Sequence, residues 1–386
     1  MNWLRLLAKL VIGLAFLGGF VPASAQELFE TKAPQAILVD AKSGIVFFEK
    51  DADALIQPAS MSKLMTMTLV FEALKAGKLT LDQEFTISED AWRRGGSISG
   101  GSTMYAELNS RVKLSDLMHG SMIQSANDAC IAIAEGMAGS EGAYADRMTA
   151  RGKELGLKDA VFKNATGLPD PQHVMSVKDL TILARHIILD FPEYYRIYGK
   201  PEFTWNKITQ QNRNPLLKEY PGADGMKTGY TKESGYGMVG SAVRDGRRLI
   251  MVVAGLKSIN ERKQEAQKLL DWGFRQFKTI DVYEPDETVS RARVWGGTVR
   301  WVDLVSKQPV RIALSPQEQE RVEVKLSYSG PLIAPVKAGE KIGTVRFLLD
   351  GKTISEIPVE TATSVEAVDS MWSKALDSVM IMILGG

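Results

Sequence analysis

The stretch Pro58 to Thr66, Pro-Ala-Ser-Met-Ser-Lys-Leu-Met-Thr, places Ser60 and Lys63 three residues apart at the head of a strongly apolar run. The run ends near Gly77, and a proline before a run and a glycine after it are ordinary helix boundary signals. Side chains one turn apart lie on the same face of a helix, and the free N–H groups at a helix start favour a developing negative charge. The stretch therefore predicts a buried helix whose first turn carries Ser60 and Lys63 on one face, in the positions that a nucleophile and its base would need.

A lysine can accept a proton only when it is neutral. Burial and a second nearby cation both lower a lysine pKa, and lowering it from ~10.4 to near 7 requires about 4–5 kcal/mol of environmental bias. A serine and a lysine at this spacing also arise by chance, with Ser60 as a helix cap and Lys63 on the surface. The partners of this pair further along the chain decide between the two interpretations.

Composition sets the broad class of the protein. The chain has 386 residues, 45% of them hydrophobic and 24% charged, which predicts a globular protein of two or three domains. Its formal net charge of +1 gives no reason to expect nucleic acid as a partner. None of the 3 histidines has a metal-ligand spacing, so we expect no metal and no cofactor.

The first residues indicate export. Arg5 and Lys9 precede an apolar segment too short for a bilayer span, and Ala23-Ser-Ala25 fits a cleavage site. Residues 1–25 are therefore predicted to be a signal peptide, the alternative being an uncleaved anchor. Cys130 is the one cysteine of the chain, so no internal disulfide can form, and its apolar surroundings predict a packed side chain rather than a reactive one.

The pattern of apolar residues predicts an α/β (α+β) domain over residues 26–283. A β-hairpin is expected over residues 36–49, an antiparallel meander over 225–256 and a helix over 260–277. Short β runs with glycine turns then predict a small all-β sandwich domain over residues 284–363; the clearest of these turns is Asp350-Gly351.

The last residues, 364–386, have apolar side chains at helical spacing around Trp372. The apolar run is too short to span a bilayer, and the pattern is typical of an amphipathic helix that lies in a membrane surface. The alternative is a helix packed on the protein itself.

Two polar segments are candidates for the site. Ser125 and Asn127 interrupt an apolar helical run from Leu114 to Met137, where they either cap a helix or face the Ser60 hydroxyl. The Gly/Ser-rich segment from Arg93 to Ser102 is either a wall of the site or a surface connector.

Three motifs follow one another in the order Ser60-x-x-Lys63, Ser125-x-Asn127 and Lys227-Thr228-Gly229. This ordered set is characteristic of penicillin-binding proteins and serine β-lactamases. With its signal peptide, β domain and tail, the chain resembles a low-molecular-mass penicillin-binding protein of the D-alanyl-D-alanine carboxypeptidase type over almost the whole mature length. The resemblance implies a β-lactamase/transpeptidase-like catalytic domain with an antiparallel sheet flanked by helices.

The resemblance also implies roles for individual residues. Ser60 would form an acyl-enzyme with Lys63 as its general base, and Ser125 would pass the proton to the departing D-alanine. The backbone N–H groups of Ser60 and Tyr230 would form the oxyanion hole, and Lys227 would help to keep Lys63 neutral. Substrate binding would fall to Asn127, Arg213, Lys227, Thr228, Gly229, Tyr230 and Arg262.

One departure concerns the fate of β-lactams. Class A β-lactamases carry a Glu-x-x-Leu-Asn deacylation motif after the Ser-x-Asn segment, whereas the nearest string here is Glu107-Leu-Asn109, which precedes Ser125. We therefore expect penicillins to inhibit by a long-lived adduct on Ser60. The expected substrate is the peptidoglycan stem peptide, and the expected location is the periplasmic face of the inner membrane. The alternatives are a D,D-endopeptidase, a weak β-lactamase or a non-catalytic cell-wall scaffold.

Overall fold

The computed structural model describes residues 29–372 together with residues 375 and 378. The predicted signal peptide, 1–25, lies outside the described residues, as do 12 of the 23 residues of the predicted tail helix, 364–386. The tail helix does not begin at residue 364 as predicted, because Val365 and Ala367 form β-bridges with Val336 and Gly297. The chain divides into two compact units between Arg275 and Gln276. This division precedes the expected boundary at residue 283, because residues 278–283 form a strand that pairs within the second unit.

The first unit is built on one antiparallel sheet. It has five strands in the order β2-β1-β11-β10-β9. Their bounds are β1 Gln35–Asp40, β2 Val46–Lys50, β9 Ala223–Thr231, β10 Gly235–Arg244 and β11 Arg247–Leu256. Three two-stranded ladders accompany it, formed by β3 Leu55–Ile56 with β6 Met175–Ser176, β4 Glu84–Thr86 with β5 Arg111–Lys113, and β7 Glu202–Trp205 with β8 Ile208–Gln211.

Eight α-helices of this unit lie within the described residues. They are α1 Lys63–Lys75, α2 Leu114–His119, α3 Asn127–Ala138, α4 Glu141–Glu154, α5 Val177–Asp190, α6 Pro192–Tyr195, α7 Leu216–Glu219 and α8 Ile259–Gln276. A capping box at Ser176 starts α5, in which the side chain of Ser176 accepts from the backbone of Asp179.

Both faces of the sheet are covered, which explains why its inner strands read as continuous apolar runs. Ile37 and Val39 of β1 belong to the large core that also contains the apolar face of α1. Leu38, between them, points to the opposite face, where Gly273 allows α8 to approach closely. Helix α5 packs against β1, β11 and α1.

The edge strand β9 brings the third motif to the first. It contacts the 3₁₀ turn Ala59–Ser62, which immediately precedes α1. A Cβ atom on Gly229 would lie 2.8 Å from the carbonyl oxygen of Pro58 and 3.2 Å from Cβ of Ala59. A glycine is therefore required at this position of the Lys-Thr-Gly motif for the strand to lie against the turn.

The second unit is a β domain with its own core. Two strands, β12 and β15, form one ladder, and a larger sheet has the order β16-β18-β19-β14-β13-β17. The bounds are β12 Lys278–Tyr283, β13 Thr288–Trp295, β14 Trp301–Val305, β15 Val310–Leu314, β16 Val322–Tyr328, β17 Leu332–Ile333, β18 Lys341–Leu349 and β19 Lys352–Thr361, with the short helix α9 Pro316–Gln319. The predicted combination of a sheet flanked by helices with a separate β domain is confirmed. Within the described residues no helix is long and apolar enough to span a bilayer.

Candidate active site

Ser60 lies in the 3₁₀ turn Ala59–Ser62, and the α-helix begins at Lys63, so the helix starts three residues later than the sequence pattern suggests. The turn closes with a hydrogen bond from the backbone N–H of Met61 to the carbonyl of Pro58, at 3.1 Å. Ala59 has φ of 48° and is 3% exposed. The nucleophile therefore stands on a tight, buried turn, while its own side chain is only half-buried.

Lys63 is 1% exposed, and its amine contacts three acceptors. Nζ donates to Oγ of Ser60 at 3.0 Å, to Oδ1 of Asn127 at 2.8 Å and to the carbonyl oxygen of Thr166 at 2.5 Å. An amine that loses one proton keeps two N–H donors and gains a lone pair. Since the amide and carbonyl oxygens can only accept, the lone pair of a neutral Lys63 is left for the Ser60 hydroxyl.

Burial lowers the pKa of Lys63 from 10.5 to about 8. This value already includes a smaller lowering by the charge of Arg213, while Cys130 and Glu141 oppose the shift. The pKa of Lys227 is also lowered, first by burial and then by the charges of Lys63 and Arg213. The sequence resemblance names Lys227 as the cation that keeps Lys63 neutral, and the structure adds Arg213, whose charge also lowers the pKa of Lys63.

The second motif follows a break in the apolar helix, as the sequence indicates. Helix α2 continues as a wider turn over Gly120–Gln124, then Ser125 adopts a left-handed conformation with φ of 72°, and α3 begins at Asn127. Neither polar side chain caps the helix, because α3 has no side-chain cap. Asn127 binds Lys63 instead, and the buried Oγ of Ser125 has no hydrogen-bond partner among the described residues.

Asp128 is a buried site residue that the sequence analysis missed. Its carboxylate accepts from Oγ1 of Thr103 at 2.6 Å and from the backbone N–H groups of Met104, Ala106 and Ala129. Burial raises its pKa, and these hydrogen bonds oppose that shift. Asp128 thereby fixes the chain after the Gly/Ser-rich segment against the start of α3.

The Gly/Ser-rich segment itself packs on the second motif, which decides the open question about it. The backbone N–H of Asn127 donates to the carbonyl of Ser102 at 2.8 Å. A Cβ atom on Gly101 would lie 3.2 Å from Nδ2 of Asn127. Residues 97–101 are exposed, so this segment forms an outer wall beside the side-chain amide of Asn127.

The loop around Thr166 is a second feature that the sequence analysis missed. Oδ1 of Asn164 accepts from the backbone N–H groups of Thr166 and Gly167, which holds the Thr166 carbonyl toward Lys63. Gly167 has φ of 75°, and a Cβ atom there would lie 1.9 Å from the carbonyl oxygen of Ala59. The loop is therefore seated directly beneath the Ser60 turn.

Two arginines add to the positive charge of the site. Arg262 of α8 is 6% exposed, and its Nη1 lies 3.5 Å from the carbonyl oxygens of Gly229 and Gly237. Burial first, with the charge of Arg213 assisting, lowers its pKa from 12.5 to about 10. Arg213 is exposed and donates to Oε1 of Gln124 at 3.4 Å. Two long contacts leave the Arg262 guanidinium with capacity for an anionic ligand.

Thr228 and Tyr230 alternate with Lys227 and Gly229 along β9. Thr228 is 6% exposed, whereas the ring of Tyr230 is 53% exposed and stacks on Tyr236 of β10 at a centroid distance of 4.2 Å. The two tyrosines are directly opposite in the β9–β10 ladder. The aromatic pair extends the site beyond the Lys-Thr-Gly motif.

The described residues thus combine a half-buried hydroxyl, a buried amine with a lowered pKa, an unpartnered serine and several cations. The nearest acids do not neutralise the cations directly, because Glu141 binds Arg94 and the backbone of Ala165 while Asp128 is held by its loop. The arrangement can activate a serine for attack on a carbonyl group of a substrate that carries negative charge.

Two family models match the chain. One, described as D-alanyl-D-alanine carboxypeptidase, matches residues 21–258, and the other, described as penicillin-binding protein 5, C-terminal domain, matches residues 277–367. The matches fall on the two sides of the division between the units.

Individual proteins show the same similarity. The chain is 39% identical over 369 residues to D-alanyl-D-alanine carboxypeptidase DacC of Escherichia coli (strain K12), with 94% of this chain and 92% of the relative covered. The solved structure of penicillin binding protein 5 from Haemophilus influenzae matches with a TM-score of 0.76 and 36% identity, covering 90% of this chain and 100% of that one. Penicillin-Binding Protein D2 from Listeria monocytogenes, in its ampicillin-bound form, matches with a TM-score of 0.56 and 29% identity, covering 64% of this chain and 100% of that one.

Proposed function

The chain belongs to the D-alanyl-D-alanine carboxypeptidase family, and from this membership we propose that it removes the terminal D-alanine of peptidoglycan stem pentapeptides through an acyl-enzyme on Ser60. The observation that carries the proposal is the set of three contacts around the amine of Lys63. They link the first and second motifs, and they leave the lone pair of the neutral amine directed at the Ser60 hydroxyl.

Acylation begins with proton transfer from Ser60 to a neutral Lys63. Asn127 and Thr166 occupy the two remaining N–H groups, so the lone pair is aligned with the hydroxyl before substrate binds. Oγ then attacks the carbonyl carbon between the two D-alanines. General base catalysis of this kind typically contributes about 10²–10⁴-fold in rate.

The tetrahedral intermediate places negative charge on the former carbonyl oxygen. The backbone N–H groups of Ser60 and Tyr230 stabilise it, and each such donor is worth about 3–4 kcal/mol. Collapse of the intermediate breaks the C–N bond, and the departing nitrogen takes a proton from the Ser125 hydroxyl, which Lys63 replenishes. The free Oγ of Ser125 in the described structure supports this role. Water then hydrolyses the ester on Ser60.

The cations bind the free carboxylate of the terminal D-alanine. Thr228 donates its hydroxyl to that carboxylate, with Lys227, Arg213 and Arg262 supplying positive charge around it. A guanidinium fits a carboxylate with two parallel hydrogen bonds. Asn127 donates its amide N–H₂ group to the stem peptide, because its oxygen is already used by Lys63.

Penicillins acylate the same serine, and the resulting acyl-enzyme is hydrolysed slowly. The chain lacks the deacylation motif of class A β-lactamases after Ser125, and the loop carrying Gly167 is packed against the Ser60 turn. The similar Listeria protein has been solved with ampicillin bound. Labelling with a fluorescent penicillin should therefore persist for many turnover times, and labelling that survives in Ser60→Ala would contradict the assignment.

Release of free D-alanine from a stem pentapeptide tests the activity. The wild type should release it, while Lys63→Ala should lose at least about 10²-fold in kcat/KM and the exposed Lys78→Ala should retain the wild-type value. Cleavage of cross-linked stems without release of D-alanine would favour an endopeptidase. A wild type inactive in both assays would favour the scaffold alternative.

The same proposal places the mature protein in the periplasm, attached through its tail to the membrane surface. Met371 and Trp372 at the start of the tail are 83% and 88% exposed, which supports a binding role for this segment. Mature full-length protein should co-sediment with phospholipid vesicles. The variant Trp372→Asp should co-sediment less, and equal sedimentation of the two proteins would contradict attachment through this residue.

A further inference from the structure

Glu141 is a buried carboxylate that the proposed mechanism does not use. It is the first residue of α4, directly after the cap at Ser140, and it is 8% exposed. Its Oε1 accepts from the backbone N–H of Ala165 at 2.9 Å, and its Oε2 accepts from Nη1 of Arg94 at 2.8 Å. Each oxygen of one carboxylate therefore binds a different loop, one 47 positions before Glu141 and the other 24 positions after it.

The loop that contains Ala165 carries one acceptor of the Lys63 amine. The carbonyl oxygen of Ala165 accepts from Oγ1 of Thr66, which lies one turn after Lys63 on α1. The next carbonyl, that of Thr166, accepts from Nζ of Lys63. Because the N–H of Ala165 is bound by Glu141, both backbone polar groups of this residue are occupied. Glu141 thereby fixes the main chain directly before the acceptor.

The loop that contains Arg94 lies against the other acceptor of the amine, Asn127. Arg94 belongs to the wide turn Ala91–Gly95, which leads into the Gly/Ser-rich wall. A Cβ atom on Gly95 would lie 2.2 Å from the backbone nitrogen of Asp128, so this turn packs directly on the start of α3. One carboxylate thus joins the two loops that support the two acceptors.

The charge of Glu141 also acts on the amine. It raises the pKa of Lys63, in opposition to the larger effect of burial. Glu141 is itself close to two charged groups, Arg94 and Glu135. The titratable and charged groups that face Lys63 from the surrounding elements are Cys130, Asp128, Glu141, His173, Arg213 and Lys227.

We propose that Glu141 is a positioning residue for the general base, because its carboxylate holds the two loops at the spacing that directs the lone pair of Lys63 at Ser60. This assignment rests on the proposed function, in which neutral Lys63 takes the proton of Ser60. The N–H of Ala165 and the guanidinium of Arg94 both require an acceptor, and a carboxylate supplies two. The geometry of Glu141 favours proton transfer, whereas its charge favours the protonated amine.

The rate of penicillin acylation between pH 5 and 10 separates these two effects. Glu141→Gln keeps an acceptor for Ala165 but presents an amide N–H₂ group to Arg94, so the plateau rate should fall about three- to tenfold. The loss of negative charge should move the rising limb about 0.3–1 pH unit lower.

Arg94→Ala separates the geometry from the charge. It releases the same loop, so its plateau rate should also fall. It leaves the negative charge of Glu141 without its cation, so its rising limb should stay in place or move to higher pH. A purely structural defect would not move the limbs of the two variants differently.

Glu265→Gln is the matched control. Glu265 is 6% exposed, and its carboxylate likewise binds a chain segment, through Oγ1 of Thr31 and the backbone N–H of Lys32. Its plateau and its limb should coincide with those of the wild type. Each rate is the first-order constant of the labelled fraction, so a loss of folded protein in a variant does not alter it.

A wild-type plateau in Glu141→Gln would overturn the proposal, and so would a limb that stays in place or moves higher in that variant. A limb that moves lower in Arg94→Ala would overturn it as well. If the wild type shows the rising limb of Lys63 while Glu141→Gln matches it, only the role of Glu141 fails. If the wild type shows no rising limb, the general base of the proposed function fails too.

Discussion

Nζ of Lys63 donates to Oδ1 of Asn127 at 2.8 Å, which joins two motifs that lie 64 positions apart in the chain. The contact fixes the amide orientation of Asn127, because an amine N–H requires the oxygen and leaves the N–H₂ group facing away. One hydrogen bond thus sets the direction of the proton acceptor and of the substrate-binding donor together. Changes at either residue should disturb both acylation and peptide binding.

The pH dependence of acylation should follow Lys63. The base acts in its neutral form, so kcat/KM should rise with pH and level off above about 8, the value to which burial lowers its pKa. Arg213→Gln removes a cation that lowers this pKa, so the rising limb should move to higher pH. The rate of penicillin acylation between pH 5 and 10 measures the position of the limb.

The control for this shift is Arg111→Gln, an equivalent change at an exposed residue paired with Glu84. Its pH profile should coincide with that of the wild type. A limb that stays in place or moves to lower pH in Arg213→Gln would contradict the electrostatic role of Arg213.

Two substitutions at Ser125 separate the role of its hydroxyl from the effect of its left-handed backbone conformation. Its left-handed conformation suits glycine, whereas alanine keeps the strain of φ at 72°. Both Ser125→Ala and Ser125→Gly remove the hydroxyl and should lose about 10²–10³-fold in kcat/KM for D-alanine release, measured with the stem pentapeptide.

The stability of the two variants should differ, with Ser125→Gly at least as stable as Ser125→Ala in urea unfolding. Asn109→Gly, at an exposed residue with φ of 61°, is the control and should retain activity. An active Ser125→Gly variant would show that the hydroxyl is not the proton carrier.

Gly167→Ala should displace the turn that carries Ser60. The new methyl group would lie 1.9 Å from the carbonyl oxygen of Ala59, so the loop or the Ser60 turn must move. Gly156→Ala is a matched control, because Gly156 also has a positive φ, of 85°, but open space around it. Both variants carry the left-handed penalty of about 1–2 kcal/mol.

Compared with Gly156→Ala, Gly167→Ala should lose at least about 2 kcal/mol more in the free energy of unfolding. Its rate of penicillin labelling should also be slower. Equal stability and equal labelling rates in the two glycine variants would mean that the loop does not support the turn.

Arg262→Gln should weaken substrate binding more than the chemical step. Loss of a charge-assisted contact to the D-alanine carboxylate is worth about 1.5–3 kcal/mol, so KM for the stem pentapeptide should rise about 10- to 100-fold with kcat changed only a few-fold. Steady-state kinetics of D-alanine release measure both values, with Arg111→Gln as the control. A fall in kcat at unchanged KM would place Arg262 in the chemical step instead.

The sequence was sufficient to predict the family, the class of activity and the two-domain fold, and the comparisons confirm these predictions. Ser60, Lys63 and Asn127 could be found because each role requires a particular side chain at a fixed spacing. The structure brings these three into contact.

Other parts of the site leave no comparable signal. The Thr166 carbonyl belongs to the main chain, and any residue could supply it, so its contact with Lys63 depends on a loop conformation set by Asn164. Asp128 could have been singled out, because a carboxylate in an apolar helix requires partners. The start of α1 was misplaced because a 3₁₀ turn and an α-helix share the same apolar spacing over so few residues.

The contact between Gly167 and Ala59 has a consequence for drug resistance. If penicillins acylate Ser60 as proposed, conversion of this protein into an enzyme that destroys the drug requires a base and a water molecule close to the acylated serine. At Gly167 the loop already lies against the Ser60 turn, and even one added carbon atom does not fit between them. Resistance through this protein should therefore arise by rebuilding the loop or by changes that slow drug capture, rather than by one new carboxylate at that position.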